Sequence, residues 1–455
     1  MRRHTGTDAL ELAPLRGLRY ASSDAGALID SPALNLALAL APPYDVVDAE
    51  SFLDMMRAEP HNAMRLTAPP AGVEAESLPG LLPSAVELTG PDRYRAAART
   101  LRRWIGDGIL VRDATPVIYV YEQTSPTGRR QRGLIGALRL PPPGGQAVRP
   151  HEDTAPGPVA DRARLMAATR ANLEPIFLLY RGGTGPERGA ATLATDAAAD
   201  GGSTPLVDTV TGDGITHRLW AVGDPAVQAD IAADLATRTA LIADGHHRYA
   251  AYHRLRAEHP GPGPWEHGLA MLVDSDASPP QLGAIHRVLR DLDVHAAART
   301  ASKVARVERL SEPLSGPEEV QAAMKRLRRD AADGPALLLA GHRADACYLL
   351  HGFDMERLAT AVPQRSAEWR ALPTAVLEHL LCPLWEIDNG RIDLVHDDPA
   401  EALATARPEL DTAVLVPSLQ VEDVYAVTAR GELTPRKSTS FGPKPRTGLV
   451  MRHLE

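Results

Sequence analysis

The sequence is short of aromatic rings, sulfur and net positive charge, and each shortage narrows what it does. Only four Phe occur in 455 residues, so the core rests on Leu, Ala and Val within a hydrophobic fraction of 44%. Two cysteines, Cys347 and Cys382, are too few for a disulfide scaffold and fit a reducing cytoplasm. A net charge of −9 gives no general polyanion-binding surface, so nucleic acid is not an expected partner. No apolar run approaches membrane-spanning length. Met1-Arg2-Arg3-His4 leads into a polar stretch without the apolar segment of a signal peptide. The expectation is a soluble cytoplasmic protein of two or three domains that is not membrane-bound. Familiar chemical signatures are missing as well. There is no GxGxxG after a strand, no GxxxxGK[ST], no GxSxG elbow and no HExxH spacing.

What is there centres on Leu241-Ile242-Ala243-Asp244-Gly245-His246-His247-Arg248-Tyr249-Ala250. An apolar lead-in, an abrupt polar cluster and an alanine-containing helical run predict strand, tight turn and helix start. Gly245 allows a positive φ or a close backbone approach. The amides of His246, His247 and Arg248 then sit at a helix N-terminus, which favours an anion. Arg248 adds a planar fork suited to phosphate or carboxylate. Asp244 is placed to hold a metal or to orient a histidine. A merely capped helix needs fewer special residues than this.

Elsewhere, Leu15 to Tyr20 reads as a short strand, and Pro43 sets Asp45 in an ordered loop before a helix near Asp48. A Pro/Gly-rich linker covers about 67–90. Tyr94–Trp104 is a predicted helix, and 117–123 with 132–140 a hairpin. A helix over 158–171, a strand over 175–180 and an exposed loop over 181–204 follow. Strands are expected at 216–221, 268–273 and 284–289, and a helix over 225–240. Three divisions are expected: 1–290 as the main domain, 291–370 as an accessory α+β insert, and 371–455 returning to the core. The fold class is α+β, a mixed-sheet core with a helical and α+β accessory region. Thr374–Leu381 is an amphipathic helix. The tail from Leu433 is polar and basic, contributes little core, and ends in an apolar Gly-Leu-Val that docks back.

Three further clusters carry chemistry. Lys437-Ser438-Thr439 with Lys444 supplies two ammonium groups, hydroxyls and amides, the inventory a polyphosphate needs. Arg149-Pro150-His151-Glu152 places a histidine beside a carboxylate that suits a general base. His286-Arg287 lies within the strand expected at 284–289. Histidines and acids at 151, 152, 244, 246, 247 and 286 offer ligands for a transition metal, but adjacent histidines rarely share one ion. Magnesium brought by a nucleotide, with Asp244 as its ligand, is the expected metal.

These motifs in this order resemble the domain of unknown function 1015 family. The resemblance rests on Pro42-Pro43-Tyr44-Asp45-Val46, His61-Asn62 with Arg65-Leu66, Tyr119 to Gln123, His151-Glu152, Ala243 to Tyr249, His286-Arg287, and the 437–449 tail. Ser440-Phe441-Gly442 departs from the aromatic residues usual there. The Asp-Gly-His-His-Arg core is also similar to the phosphate-binding turn of the ParB/sulfiredoxin superfamily, which includes free serine kinases with an essential Asp in that turn and a separate Glu. The resemblance implies a ParB/sulfiredoxin-like strand-turn-helix and a kinase that moves phosphate from ATP or ADP, with Mg2+, to the hydroxyl of free serine or a similar metabolite. In that reading Asp244 and Glu152 are catalytic, and Gly245, His246, His247, Arg248, Lys437, Ser438, Thr439 and Lys444 hold the nucleotide. Arg149, His151, His286, Arg287 and Asp45 face the small-molecule substrate. The role of Glu152 comes from its chemistry, since no flanking motif anchors it. A ParB-like nucleotide-binding switch without phosphoryl transfer is the alternative. The sequence sets no oligomeric state.

Overall fold

The computed structural model describes residues 8–21, 34–47, 49–67, 92–310, 314, 316–341 and 346–454. The chain is α+β and forms two compact units. One comprises residues 1–150, 154–279 and 443–455, and the other residues 151–153 and 280–442. This division differs from the sequence expectation. The stretch 291–370 does not stand apart: its three strands lie in one sheet with Ile285–Leu289, where each ladder pairs backbone N–H and C=O groups that would otherwise be left without partners.

The first unit is built on a nine-stranded sheet. Its order is Val148–Arg149, Ala240–Asp244, Ile176–Tyr180, His267–Asp274, Arg130–Arg139, Ile118–Thr124, Thr216–Val222 and Val207–Val210, with Leu12–Ala13 added beside Arg130–Arg139. Val148–Arg149 with Ala240–Asp244, and Ile176–Tyr180 with His267–Asp274, run parallel; the other pairs are antiparallel. The sheet is therefore mixed. Ile176–Tyr180 and Ala240–Asp244 are buried along their whole length, which is why they read as continuous apolar runs rather than alternating ones. One face carries Ile176, Leu178, Tyr180, Ala240, Ile242 and Leu272 into the core. Helix His246–Glu258 adds Ala251, Tyr252 and Leu255, and helix Pro156–Thr169 adds Ala163 and Met166. Each large apolar side chain so buried contributes about 1.5–3 kcal/mol.

The second unit has a six-stranded antiparallel sheet in the order Arg306–Arg309, Cys347–His351, Leu337–Ala340, Thr412–Leu415, Ile285–Leu289 and Ile392–His396. Helix Pro317–Asp330 covers one face with Val320, Ala323, Met324 and Leu327.

Several local expectations change. The loop expected over 181–204 contains helix Ala190–Asp200, since Ala191, Thr192 and Thr195 form a buried stripe. Helix Pro225–Leu235 stops early, leaving Ala240 to begin the strand. The helix over 374–381 turns π-helical at Leu377–Leu381. The expected linker 67–90 lies outside the described residues beyond Thr67. The tail is not merely polar: Phe441, Leu449, Val450, Met451 and Leu454 are all buried. Among the described residues no helix is long and apolar enough to cross a membrane.

Candidate functional site

In the first unit, strand Ala240–Asp244 runs directly into helix His246–Glu258, with Gly245 between them at φ 91°. The expected strand-turn-helix is present. A Cβ at Gly245 would lie 3.0 Å from Ile176 Cγ2 and 3.0 Å from Arg248 Nε, so both the dihedral and the space call for glycine. The strand's register shifts between Ile242 and Asp244 opposite Leu178 and Phe177. Such a bulge re-aims the side chains that follow it. The N-cap of helix His246–Glu258 is Gly245, which has no side chain to bond the first-turn amides.

Asp244 lies between two cations. Its Oδ1 is 2.5 Å from Lys444 Nζ, and its Oδ2 accepts from Arg248 Nη2 at 2.6 Å. Lys444 Nζ also donates to Asp45 Oδ2 at 3.2 Å. Asp45 stands on the short 3₁₀ turn Tyr44–Val46, placed by extended Pro43. Desolvation would raise the Asp45 carboxyl, but Lys444 and Arg248 hold it below the usual carboxylate range. Desolvation likewise opposes the charge on Lys444, and the two carboxylates overcome it, raising the ammonium's pKa.

Arg248 departs from its expected role. Its guanidinium is buried and pairs with Asp244 and, at 3.8 Å, with Glu174. Burial opposes its charge, and Glu174, Asp244 and Asp45 together raise its pKa. It braces the turn through these two acids, and its buried Nε has no hydrogen-bond partner among the described residues. Glu174 is the residue that sequence reasoning missed. Its Oε1 accepts from the Tyr44 N–H at 3.1 Å and from Thr447 Oγ1 at 2.9 Å. Its one sequence signal is a lone acid, after Leu173 and before Pro175, at the start of a wholly apolar strand. The Arg162 guanidinium lies 3.9 Å over the Tyr44 ring. His247 Nε2 accepts from the Ala155 N–H at 3.3 Å, and His246 is buried. Arg149 pairs with Leu241 along the parallel ladder, and its buried Nε has no hydrogen-bond partner among the described residues.

The tail residues of this unit are held by side chains on the sheet. Gln123 and Gln131, cross-strand partners, both donate to the Pro443 carbonyl, at 3.4 and 2.8 Å. Thr447 exchanges backbone hydrogen bonds with Ala41 at 2.8 and 3.1 Å. Arg446 pairs with Asp213.

The remaining candidates lie in the second unit. His151 Nε2 and Thr439 Oγ1 are 2.9 Å apart, and the imidazole meets the Phe441 ring edge-on at 5.3 Å. The His151 carbonyl accepts from both the N–H and the hydroxyl of Thr434 at 2.8 Å. Glu152 follows it, half-buried. Lys437 adopts a left-handed φ of 55°, and its carbonyl accepts from Arg287 Nη2 at 2.9 Å. Three residues make buried contacts within this unit. The buried Ser438 hydroxyl donates to the Pro435 carbonyl at 2.6 Å and meets Thr374 Oγ1 at 2.7 Å. His286 Nδ1 accepts from the Val416 N–H at 3.2 Å, and burial beside Arg287 pushes its imidazole down to about 4. Arg287 is itself buried against the Ile285 and Lys437 carbonyls, with Glu378 3.7 Å away. Burial pushes Glu378 up to about 6 against the opposing Arg287 and Arg436.

Among the described residues no group of three or more His, Cys, Asp or Glu side chains is placed to hold a metal ion. Asp45 and Asp244 offer two hard oxygen donors across one ammonium, which suits an ion that completes its shell with phosphate and water oxygens.

No curated protein matches the chain. Among solved structures it is similar to SbnI with a C-terminal truncation from Staphylococcus aureus, at 10% identity and a TM-score of 0.35 over 69% of this chain and 85% of that one. A free serine kinase variant in complex with ADP is similar at 13% identity and 0.35, over 71% and 92%. A conserved hypothetical protein from Pyrococcus furiosus is similar at 13% and 0.32, over 70% and 95%. The family described as "Protein of unknown function (DUF1015)" matches residues 12–361, and the chain belongs to that family.

Proposed function

We propose that the protein is a small-molecule kinase that transfers a phosphoryl group from ATP or ADP to the hydroxyl of free serine or a similar metabolite. The observation that carries this reading is the meeting of Asp244, Asp45 and Lys444 at a helix start entered through Gly245. Phosphoryl transfer asks the protein mainly for positioning and charge neutralisation. Helix amides at His246 and His247 and the Lys444 ammonium receive phosphate oxygens. Asp244 and Asp45 hold Mg2+, which neutralises charge on the phosphates when bound. Arg248 fixes Asp244 and leaves anion binding to its neighbours. Glu152 is assigned as the base on its chemistry: it takes the acceptor's proton as the new O–P bond forms and the bond to the leaving nucleotide breaks. The reading places the protein in the cytoplasm, in keeping with two free, buried thiols.

One observation favours a second reading. Lys444 already pairs with both acids and so occupies oxygens that a catalytic metal would need, which suits a nucleotide-binding switch without turnover. Phosphorus NMR of the protein with ATP or ADP, Mg2+ and a panel of hydroxylated amino acids separates the two. A phosphorylated acceptor, lost in Asp244→Asn and slowed ~10²–10⁴-fold in Glu152→Gln, is expected of the kinase. Nucleotide binding with no phosphorylated acceptor across the panel would sink it in favour of the switch. An unslowed Glu152→Gln would remove the base assignment alone.

A further inference from the structure

Glu174 belongs to none of the motifs that drew attention to this chain, yet three separated segments meet on its carboxylate. It is buried, and it sits between Leu173 and Pro175 at the entry to strand Ile176–Tyr180, a position that Pro175 keeps extended. From residues 42–47 it receives the Tyr44 N–H at 3.1 Å. From the C-terminal tail it receives the Thr447 hydroxyl at 2.9 Å. From the turn it faces the Arg248 guanidinium at 3.8 Å. Each partner stands close in sequence to a residue of the site: Tyr44 precedes Asp45, Thr447 follows Lys444 by three, and Arg248 holds Asp244. A buried carboxylate satisfied merely for its own sake needs one cation and nearby donors. This one takes a partner from each of the three segments that supply Asp45, Lys444 and Asp244.

We propose that Glu174 is the positioning residue of the site: by binding Tyr44, Thr447 and Arg248 together, it brings Asp45, Lys444 and Asp244 into contact. It touches no reacting atom. Its two shorter bonds are accepted by one oxygen, so a glutamine's amide oxygen can accept both, whereas alanine accepts neither. The backbone pairing of Thr447 with Ala41 then depends on whether the Thr447 side chain is anchored. The proposal rests on the site assigned above, and its test reads assembly rather than turnover, so a failure of the kinase reading leaves it standing.

The test is amide hydrogen exchange on the full-length chain. In Glu174→Ala, exchange at Thr447 and Ala41 is expected to rise at least tenfold while strand Ile118–Thr124 keeps its protection. In Glu174→Gln protection at Thr447 is expected to stay near wild type. Unchanged protection at Thr447 in a folded Glu174→Ala would overturn the proposal, as would a glutamine that behaves like alanine. Should Glu174→Ala fail to fold, Thr447→Val removes only the tail's bond to this carboxylate; unchanged exchange at Thr447 there overturns it equally.

Discussion

Arg248 illustrates how one residue's role follows from its neighbours more than from its type. An arginine fork at a helix start beside a glycine reads as an anion receptor, and its removal would then weaken ligand binding while sparing the fold. Buried against Asp244 and Glu174, the same fork neutralises two carboxylates that have left water. Removing one partner of a buried ion pair costs about 3–5 kcal/mol, because the other charge stays behind unpaired. Arg248→Ala is therefore expected to lower the unfolding free energy by roughly that amount in urea titrations, before any ligand is added. Arg248→Lys restores little, since one ammonium cannot reach along two directions as a planar fork does. A loss under about 1 kcal/mol in Arg248→Ala would return this residue to the role of an open receptor.

The C-terminal segment makes the same point for an element. Its lysines, hydroxyls and prolines suggest a polar strap whose removal leaves the body intact. Four of its apolar side chains, Leu449, Val450, Met451 and Leu454, are buried in the first unit, and Phe441 is buried in the second. At about 1.5–3 kcal/mol for each, their loss is comparable with the whole stability of a domain. Truncation before Thr434 is accordingly expected to abolish the cooperative thermal transition or to lower it by well over 10 °C. A truncated chain that melts like the full-length protein would show that the segment adds no stability. By contrast, the turn from Ala240 to Glu258 was fully legible. An apolar run, a glycine and a helix-forming sequence signal that order within 19 residues, while the bulge and the close approach at Gly245 come from the neighbouring strand Ile176–Tyr180.

For the whole molecule, acid should be the more damaging direction of pH change. Burial pushes His217 and His286 down to about 4 each, below the ordinary imidazole value near 6.5. The unfolded chain therefore takes up these protons first. The stability they contribute is complete above pH 6.5 and is lost as pH falls from 6.5 to about 4, by up to roughly 3 kcal/mol each. Glu378 works the other way. With its carboxyl pushed up to about 6, the folded state holds that proton more tightly and gains stability as pH falls below 6. His217 lies in the first unit and the other two in the second, so the first unit should weaken more steeply. Urea midpoints at pH 7, 5.5 and 4.5, read by exchange within each sheet, test this. Midpoints that hold steady down to pH 4.5 would rule out buried neutral histidines as the cause.

The sequence by itself determined the α+β class, the strand-turn-helix at Gly245, the ordered loop bearing Asp45 and the family, because each is written in neighbouring residues: an apolar run, a glycine, a proline, a motif. Only the tertiary structure decided that Lys444 meets Asp45 and Asp244, that Arg248 faces inward, that Ser438, His286 and Arg287 are spent on packing and carbonyls, and that Glu174 joins three segments. The Lys444–Asp45 contact spans 399 residues and the Thr447–Glu174 bond 273. At such separations nothing local records a partner. A polar side chain's role is then set by which groups share its burial, since in a low-dielectric interior a charge must be matched by whatever the fold brings within reach.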